Sequence, residues 1–256
     1  MNKRHRIQFP KNEMTTKSQE EAYFYLQDSS GSRKIRFHDY NEIYQIPGLY
    51  EQIFYDRLKC ISPAKVASIL EAAIRQSSEN FSELRVLDFG AGNGMMGEEL
   101  KKCGISRLVG VDIISEAYAA TVRDRPGTYD AYHIQDFTDL DFDVRKEIAS
   151  WDFNCMVTVA ALGFGDIPVK AFLEAFNTIG AKGWVAFNIK DTFFAENDST
   201  GFSRMTRELI FSEHLDVYHI ERYRHRLSID GEPLYYFAIA GRKNTDVTDK
   251  FIQSIA

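Results

Sequence analysis

Arg85-Val86-Leu87-Asp88-Phe89-Gly90-Ala91-Gly92-Asn93-Gly94, followed by Val109-Gly110-Val111-Asp112, is the stretch whose reading decides the fold. It joins a strand, a glycine-rich turn and a helix start, and a carboxylate ends each of two successive strands. Glycines let a backbone turn sharply and approach a ligand, and an acid roughly 20 residues further on can accept hydrogen bonds from ribose hydroxyls. The pattern predicts a nucleoside-binding crevice.

Two frames compete for these glycines. Counted from Gly92, Gly92-Asn93-Gly94-Met95-Met96-Gly97 fits the dinucleotide pattern G-x-G-x-x-G, with Asp112 at the expected distance. That frame runs the first strand on to Gly92 and buries Asp88 inside it, which is costly without a partner. If the turn instead begins at Gly90, Asp88 ends the strand, faces the crevice and can meet a cationic ligand.

In the second frame the residues resemble the first motif of class I S-adenosylmethionine-dependent methyltransferases: an apolar pair, an acid, an apolar residue, then G-x-G-x-G. Val86 to Gly94 fits at every position. The resemblance implies that Asp88, Gly90, Ala91, Gly92, Asn93 and Gly94 lie by the aminoacyl part of S-adenosylmethionine. It also implies that Asp112 takes the ribose hydroxyls, Ile113 packs on the adenine, and Asp136 and Phe137 lie near the adenine amino group, with Val159 beside the cofactor. The product would be S-adenosylhomocysteine.

Around this motif the chain alternates strands and helices. Strands are expected over 85–89, 107–112, 130–135, 153–160 and 184–189, and helices over 94–102, 115–123 and 143–149, from Pro168, and around Phe202, Met205, Leu209 and Ile210. Ser62-Pro63 opens a further helix with Val66, Ile69, Leu70, Ala73 and Ile74 on one face. Strands 215–227 and 234–241, joined by a short turn, must pair antiparallel. The prediction is an α/β fold: a three-layer, doubly wound, Rossmann-like sheet of seven strands, mostly parallel, with an antiparallel C-terminal hairpin. That hairpin resembles the methyltransferase arrangement and leaves no room for the second domain of an NAD-dependent oxidoreductase, which remains the alternative enzyme. Residues 62–256 would form the cofactor-binding domain. Residues 1–61 would form a polar arm with a short helix around Gln19 to Gln27, then an aromatic cap or lid; removing residues 1–34 should be nearly silent.

A net charge of −6 opposes general attraction to nucleic acid, although residues 1–11 carry Lys3, Arg4, Arg6 and Lys11 without an acid. No apolar run approaches the length of a membrane span, there is no signal-peptide segment, and a cytoplasmic monomer or homodimer is expected. Cys60, Cys103 and Cys155 lack metal-ligand or disulfide spacing, so no metal is expected.

An activated methyl group needs positioning more than a conspicuous catalytic motif. The chain lacks the [DN]-P-P-[YFW] segment of base-nitrogen methylation, the paired-glutamate loop of protein arginine methylation, and the strand-end acid of magnesium-dependent enzymes. Val159 to Pro168 and Gly231 to Tyr236 look like a group of small methyltransferases, so transfer to an oxygen or nitrogen of a small-molecule acceptor is expected. Tyr40, Tyr44, Tyr50, Phe54 and Tyr55 could close over the cofactor or simply pack a cap; Tyr44 is the first choice, its position resembling a tyrosine before the lid helix of such enzymes. Tyr44 and Asp191 are the catalytic candidates, Asp191 having a helix or loop cap as its simpler reading. His38 and Asp39 are a candidate acid/base pair whose simpler reading is surface polarity, and His133 reads as a strand-face histidine. A protein that binds the cofactor without chemistry would show the same motifs.

Overall fold

A computed structural model of the chain describes residues 4–10, 21–29, 31–163, 166–194 and 201–255. Its centre is a seven-stranded sheet. Strands β4 (Arg85–Phe89), β5 (Arg107–Asp112), β6 (Ala131–Ile134), β7 (Cys155–Thr158) and β8 (Trp184–Lys190) run parallel. Strands β9 (Leu215–Leu227) and β10 (Pro233–Lys243) form the closing hairpin, β10 antiparallel to both β8 and β9. The order is β6-β5-β4-β7-β8-β10-β9, which reverses direction between β4 and β7. A crevice outside the carboxyl ends of the strands is expected at that reversal.

Alternation along each strand builds the three layers. Leu87, Phe89, Val109, Val111, Met156 and Phe187 face one side, where α7 (Val169–Asn177), α8 (Phe202–Phe211) and α9 (Asp249–Ile255) supply Phe172, Phe176, Met205, Leu209 and Ile252. Val86, Leu108, Cys155, Val157 and Ala186 face the other, against Val66, Leu70 and Ala73 of α3 (Ser62–Gln76) and Met96 and Leu100 of α4 (Met95–Lys102). The near-continuous apolar run of β4 and β7 follows from burial on both faces. Helices α5 (Ser115–Asp124) and α6 (Phe142–Ser150) complete the crossovers. The expected fold class is therefore observed, with strand ends moved by at most two residues. Helix α9, absent from the sequence reading, adds Ile252 and Ile255 to the first core.

The N-terminal region departs from the expectation. Where a short helix was expected around Gln19 to Gln27, the described part of that segment is strand β2 (Tyr23–Asp28), paired antiparallel with β1 (Arg6–Gln8) and β3 (Gly31–Arg36); Gln19 and Glu20 lie outside the described residues. The run Tyr23-Phe24-Tyr25-Leu26 is aromatic and suits a pleated surface, and Gly31 (φ 129°) lets the chain return. Beyond β3 the chain forms α1 (Tyr40–Gln45), α2 (Leu49–Glu51) and a π-helical segment over Gln52–Arg57.

These pieces share one core. Phe24, Leu26, Ile35, Phe37, Ile43, Ile53 and Phe54 pack together, so the strands before residue 35 support the aromatic segment after it. Removing residues 1–34 is accordingly expected to destabilise the cap. Phe24 is fully buried, and Phe24→Ala should cost about 3–5 kcal/mol of cap stability, read by hydrogen exchange of the β2 and β3 amides. A loss below about 1 kcal/mol would mark the sheet as a peripheral attachment.

Candidate active site

The turn after β4 is shaped by two carbonyls and one carboxylate. Gly90 and Gly92 have φ values of 77° and 55°, where a side chain is strained. The N–H groups of Gly90 and Ala91 both donate to the Val111 carbonyl at 2.9 Å. Asp112, at the end of β5, accepts from the Gly92 N–H through Oδ2 at 2.8 Å and from the Ile114 N–H through Oδ1 at 3.0 Å. The Gly92 carbonyl accepts in turn from the Tyr132 hydroxyl at 2.8 Å and the Thr121 hydroxyl at 3.0 Å. Space is as tight as conformation: a Cβ on Gly92 would lie 2.6 Å from the Tyr44 hydroxyl, and one on Gly90 would lie 2.9 Å from Ala161 Cβ.

This turn borders a cavity of about 300 Å³ at the sheet reversal. Of the site residues read from the sequence, Tyr44, Gly90, Ala91, Gly92, Asn93, Asp112, Ile113, Asp136, Phe137 and Val159 line it. Tyr40, Tyr50 and Tyr55 add aromatic walls, and Met95 and Met96 a soft apolar one. Burial holds the phenols of Tyr40, Tyr44, Tyr50 and Tyr55 protonated far above their ordinary range. Three carboxylates line the cavity, Asp112, Asp136 and Asp166, and no lysine or arginine does among the described residues. Burial raises the Asp112 carboxyl, its backbone donors lower it, and the charge of Asp166 raises it again. Arg125 stands behind the turn with its guanidinium on Glu51, Glu98 and the Asn93 carbonyl.

Three expected members stand apart. Asp88 does not face the cavity: it is 1% exposed and accepts a 2.6 Å hydrogen bond from the Tyr129 hydroxyl. The strand stays paired with β5 through Phe89, so the alternation that sends Phe89 to one face sends Asp88 to the other. Gly94 is the N-cap of α4 and lies under Arg125 and Tyr129. Asp191 begins a 3-10 turn over Asp191–Phe194 and pairs with Arg222 of β9 at 2.8 Å, away from the cavity. The His38–Asp39 pairing is also corrected. Asp39 is held by Arg36, whereas His38 Nδ1 meets both carboxylate oxygens of Asp166, at 3.1 and 3.2 Å.

Asp166 and Gln135 are cavity residues that the sequence reading missed. Asp166 stands two residues before the helix-opening Pro168, a position that marks a loop without revealing its distant partner. A buried relay also supports the cavity wall. Ala160, at φ 56°, donates its N–H to Asn188 Oδ1 at 2.7 Å, and Asn188 Nδ2 donates to the Tyr223 hydroxyl at 2.7 Å. Tyr223 then meets Ser62 Oγ at 2.7 Å, and Ser62 Oγ meets His225 Nδ1 at 2.5 Å.

No family model matches the chain, and no curated protein matches it in sequence. Solved structures do match. The N-methyltransferase NodS from Bradyrhizobium japonicum WM9, in complex with S-adenosyl-L-homocysteine, aligns with a TM-score of 0.54 at 13% identity, over 82% of this chain and 98% of NodS. Magnesium protoporphyrin IX methyltransferase (ChlM) from Synechocystis PCC 6803, with bound S-adenosylmethionine, aligns at 0.50 and 12% identity, over 71% of this chain and 79% of ChlM. A putative RNA methyltransferase, PH1948 from Pyrococcus horikoshii, aligns at 0.50 and 14% identity, over 73% of this chain and 87% of that one. The chain has the class I S-adenosylmethionine-dependent methyltransferase fold. Among the described residues no helix is long and apolar enough to cross a membrane.

The setting of Asp88 has a measurable consequence. Burial lifts its carboxyl to about 7, against the opposing Tyr129 hydrogen bond. A carboxyl raised above its unfolded value binds a proton more tightly in the folded state, so its ionisation destabilises the fold as pH rises from about 4 toward 7. Asp88→Asn keeps an acceptor for Tyr129 without the charge. Denaturant unfolding should show the variant gaining on the wild type between pH 5 and pH 8, by on the order of 1–3 kcal/mol. A gap independent of pH would mean that Asp88 stays ionised throughout.

Proposed function

We propose that this protein transfers a methyl group from S-adenosylmethionine to an oxygen or nitrogen of a small-molecule acceptor. The observation that carries the reading is the electrostatics of the cavity: three carboxylates, several tyrosine rings and no lysine or arginine among its described lining. Such a lining suits a sulfonium and an ammonium, and aromatic faces attract cations. It disfavours the pyrophosphate of a dinucleotide, which answers the NAD-linked alternative. Neither Gly90 nor Gly92 admits a side chain, because a Cβ would collide with Ala161 and Ile167 or with the Tyr44 hydroxyl.

In this reading Asp112 holds the ribose hydroxyls with the carboxylate lone pairs left over from its two backbone donors. Ile113, 58% exposed just past the end of β5, offers an apolar contact for the adenine, with Asp136 and Phe137 near its amino group. Gly90 to Asn93 border the aminoacyl part, and Val159 lies beside it. Asp88, Gly94 and Asp191 act only through the positions of their neighbours. The cofactor when bound supplies a methyl group on a positively charged sulfur, which a nucleophile aligned with the carbon–sulfur bond can take. The residues 38–55 that line the cavity then exclude water and complete the acceptor pocket.

Calorimetry should give micromolar binding of S-adenosylmethionine and S-adenosylhomocysteine and none of NAD or NADP; tight NADH binding alone would sink the proposal. Asp112→Ala removes hydrogen bonds worth about 1.5–3 kcal/mol each to a charged acceptor, so S-adenosylhomocysteine should bind on the order of 10²-fold more weakly. Unchanged affinity would exclude Asp112 from the ribose site. Turnover with a cell extract, followed as S-adenosylhomocysteine formed, separates an enzyme from a binding protein. If residues 35–60 are a lid, their amides should gain hydrogen-exchange protection with S-adenosylhomocysteine, whereas protection that does not change marks a fixed wall.

A further inference from the structure

We infer that His38 and Asp166 form a proton-accepting dyad and that the methyl acceptor is a neutral small molecule carrying a hydroxyl group. This inference rests on the methyl transfer proposed above. His38 comes from the cap and Asp166 from the loop after β7, 128 residues apart in sequence, and both line the cavity. The Asp166 carboxylate meets His38 Nδ1 through both oxygens, and each side chain is about one-fifth exposed. A carboxylate there holds the proton on Nδ1 and leaves the lone pair on Nε2, which is the tautomer a general base needs. The loop that bears Asp166 reaches the cofactor turn, since Ile167 and Ala161 fill the space a Gly90 Cβ would take. The base therefore stands on the same cavity as the turn that would hold the methyl donor.

Among the described residues, the ionisable groups facing His38 are Asp166, Tyr40 and Asp39. The Tyr40 ring lies 5.7 Å from the imidazole, edge to face, and Asp39 carries the opposing charge of Arg36. Burial holds the Tyr40 phenol protonated, and the carboxylates of Asp39 and Asp166 are paired with Arg36 and His38. His38 is the group suited to accept a proton.

The need for a base selects the acceptor. An amine can shed its proton to water before it binds and then attack with a free lone pair, and a thioether or tertiary amine has no proton to lose. A neutral hydroxyl is a poor nucleophile until its proton leaves. In the balanced step the hydroxyl oxygen forms a bond to the methyl carbon while the carbon–sulfur bond breaks with its electron pair going to sulfur. The hydroxyl proton passes to His38 Nε2, and the imidazolium beside Asp166 releases it to solvent as the ether leaves.

The test combines a spectrum and a transfer assay. In the protein without cofactor, long-range proton–nitrogen NMR should report His38 as the Nδ1–H tautomer, and Asp166→Asn should disturb that signal; an Nε2–H tautomer in the wild type overturns the dyad. With labelled S-adenosylmethionine and a deproteinised metabolite extract, label should pass into products that a cation exchanger does not retain. His38→Gln should slow that transfer by about 10²–10³-fold, with S-adenosylhomocysteine affinity kept within about twofold. Added imidazole should partly restore transfer in His38→Ala, which a merely structural latch would not allow. Equal rates in wild type and His38→Gln overturn the dyad alone, and label retained on the exchanger overturns the hydroxyl acceptor. No transfer by the wild type overturns the proposed function and this inference with it.

Discussion

The carboxylate of Asp112 is the interaction on which the rest of the site depends. By taking the N–H groups of Gly92 and Ile114 it fastens the turn after β4 to the end of β5, the neighbouring strand. An unpaired charge at that depth would cost several kcal/mol, so the two backbone donors and the carboxylate each require the other. The clamp fixes the Gly92 carbonyl under Tyr132 and Thr121 and presents the glycine's open side to Tyr44. One ion-assisted pair of hydrogen bonds thus sets the floor of the cavity and the position of a cap residue over it.

The cap is joined to that floor at several points. Arg123 donates to the Tyr44 carbonyl at 3.0 Å, and Asn93 Nδ2 donates to Glu51 at 2.8 Å while Arg125 holds the same Glu51 oxygen. With His38 on Asp166, these contacts draw charges from both parts of the chain into pairs around a cavity whose own walls keep unpaired carboxylate capacity. A polar pair at an interface sets register more than it adds stability, because desolvation offsets much of the attraction. The apolar cluster of Phe24, Phe37, Ile43 and Phe54 supplies the cohesion, and the ion pairs decide where the cap sits.

Behind the cavity, the left-handed backbone at Ala160 is held by a relay with a defined polarity. The Ala160 N–H requires the Asn188 oxygen, which turns the Asn188 amide group toward Tyr223 and makes the tyrosine oxygen an acceptor. Tyr223 then donates to Ser62, and Ser62 donates to Nδ1 of His225, whose burial drives its pKa far below the ordinary value. A neutral His225 is the state this chain of donors needs. Strain at a non-glycine residue persists only where surrounding contacts over-determine it, as they do here.

The sequence by itself determined the doubly wound sheet, because hydrophobic runs, glycine turns and the Ser62-Pro63 helix start are local signals read within a few residues. It also determined which of Gly90 to Asn93, Asp112, Ile113, Asp136 and Phe137 would meet at one cavity, since the fold fixes where strand ends converge. Tertiary structure decided the rest. The segment Tyr23 to Asp28 became a strand because its aromatic residues found β1 and β3 and a shared core, partners that a helical count cannot see. Asp88 turned inward to Tyr129 because the pleat, fixed by Val86 and Leu87, left it the buried face. His38 chose Asp166 over the adjacent Asp39 because Arg36 already occupies Asp39, and because only the folded chain brings together residues so far apart in sequence. Local pattern sets what a segment becomes; long-range packing sets what a charged side chain meets.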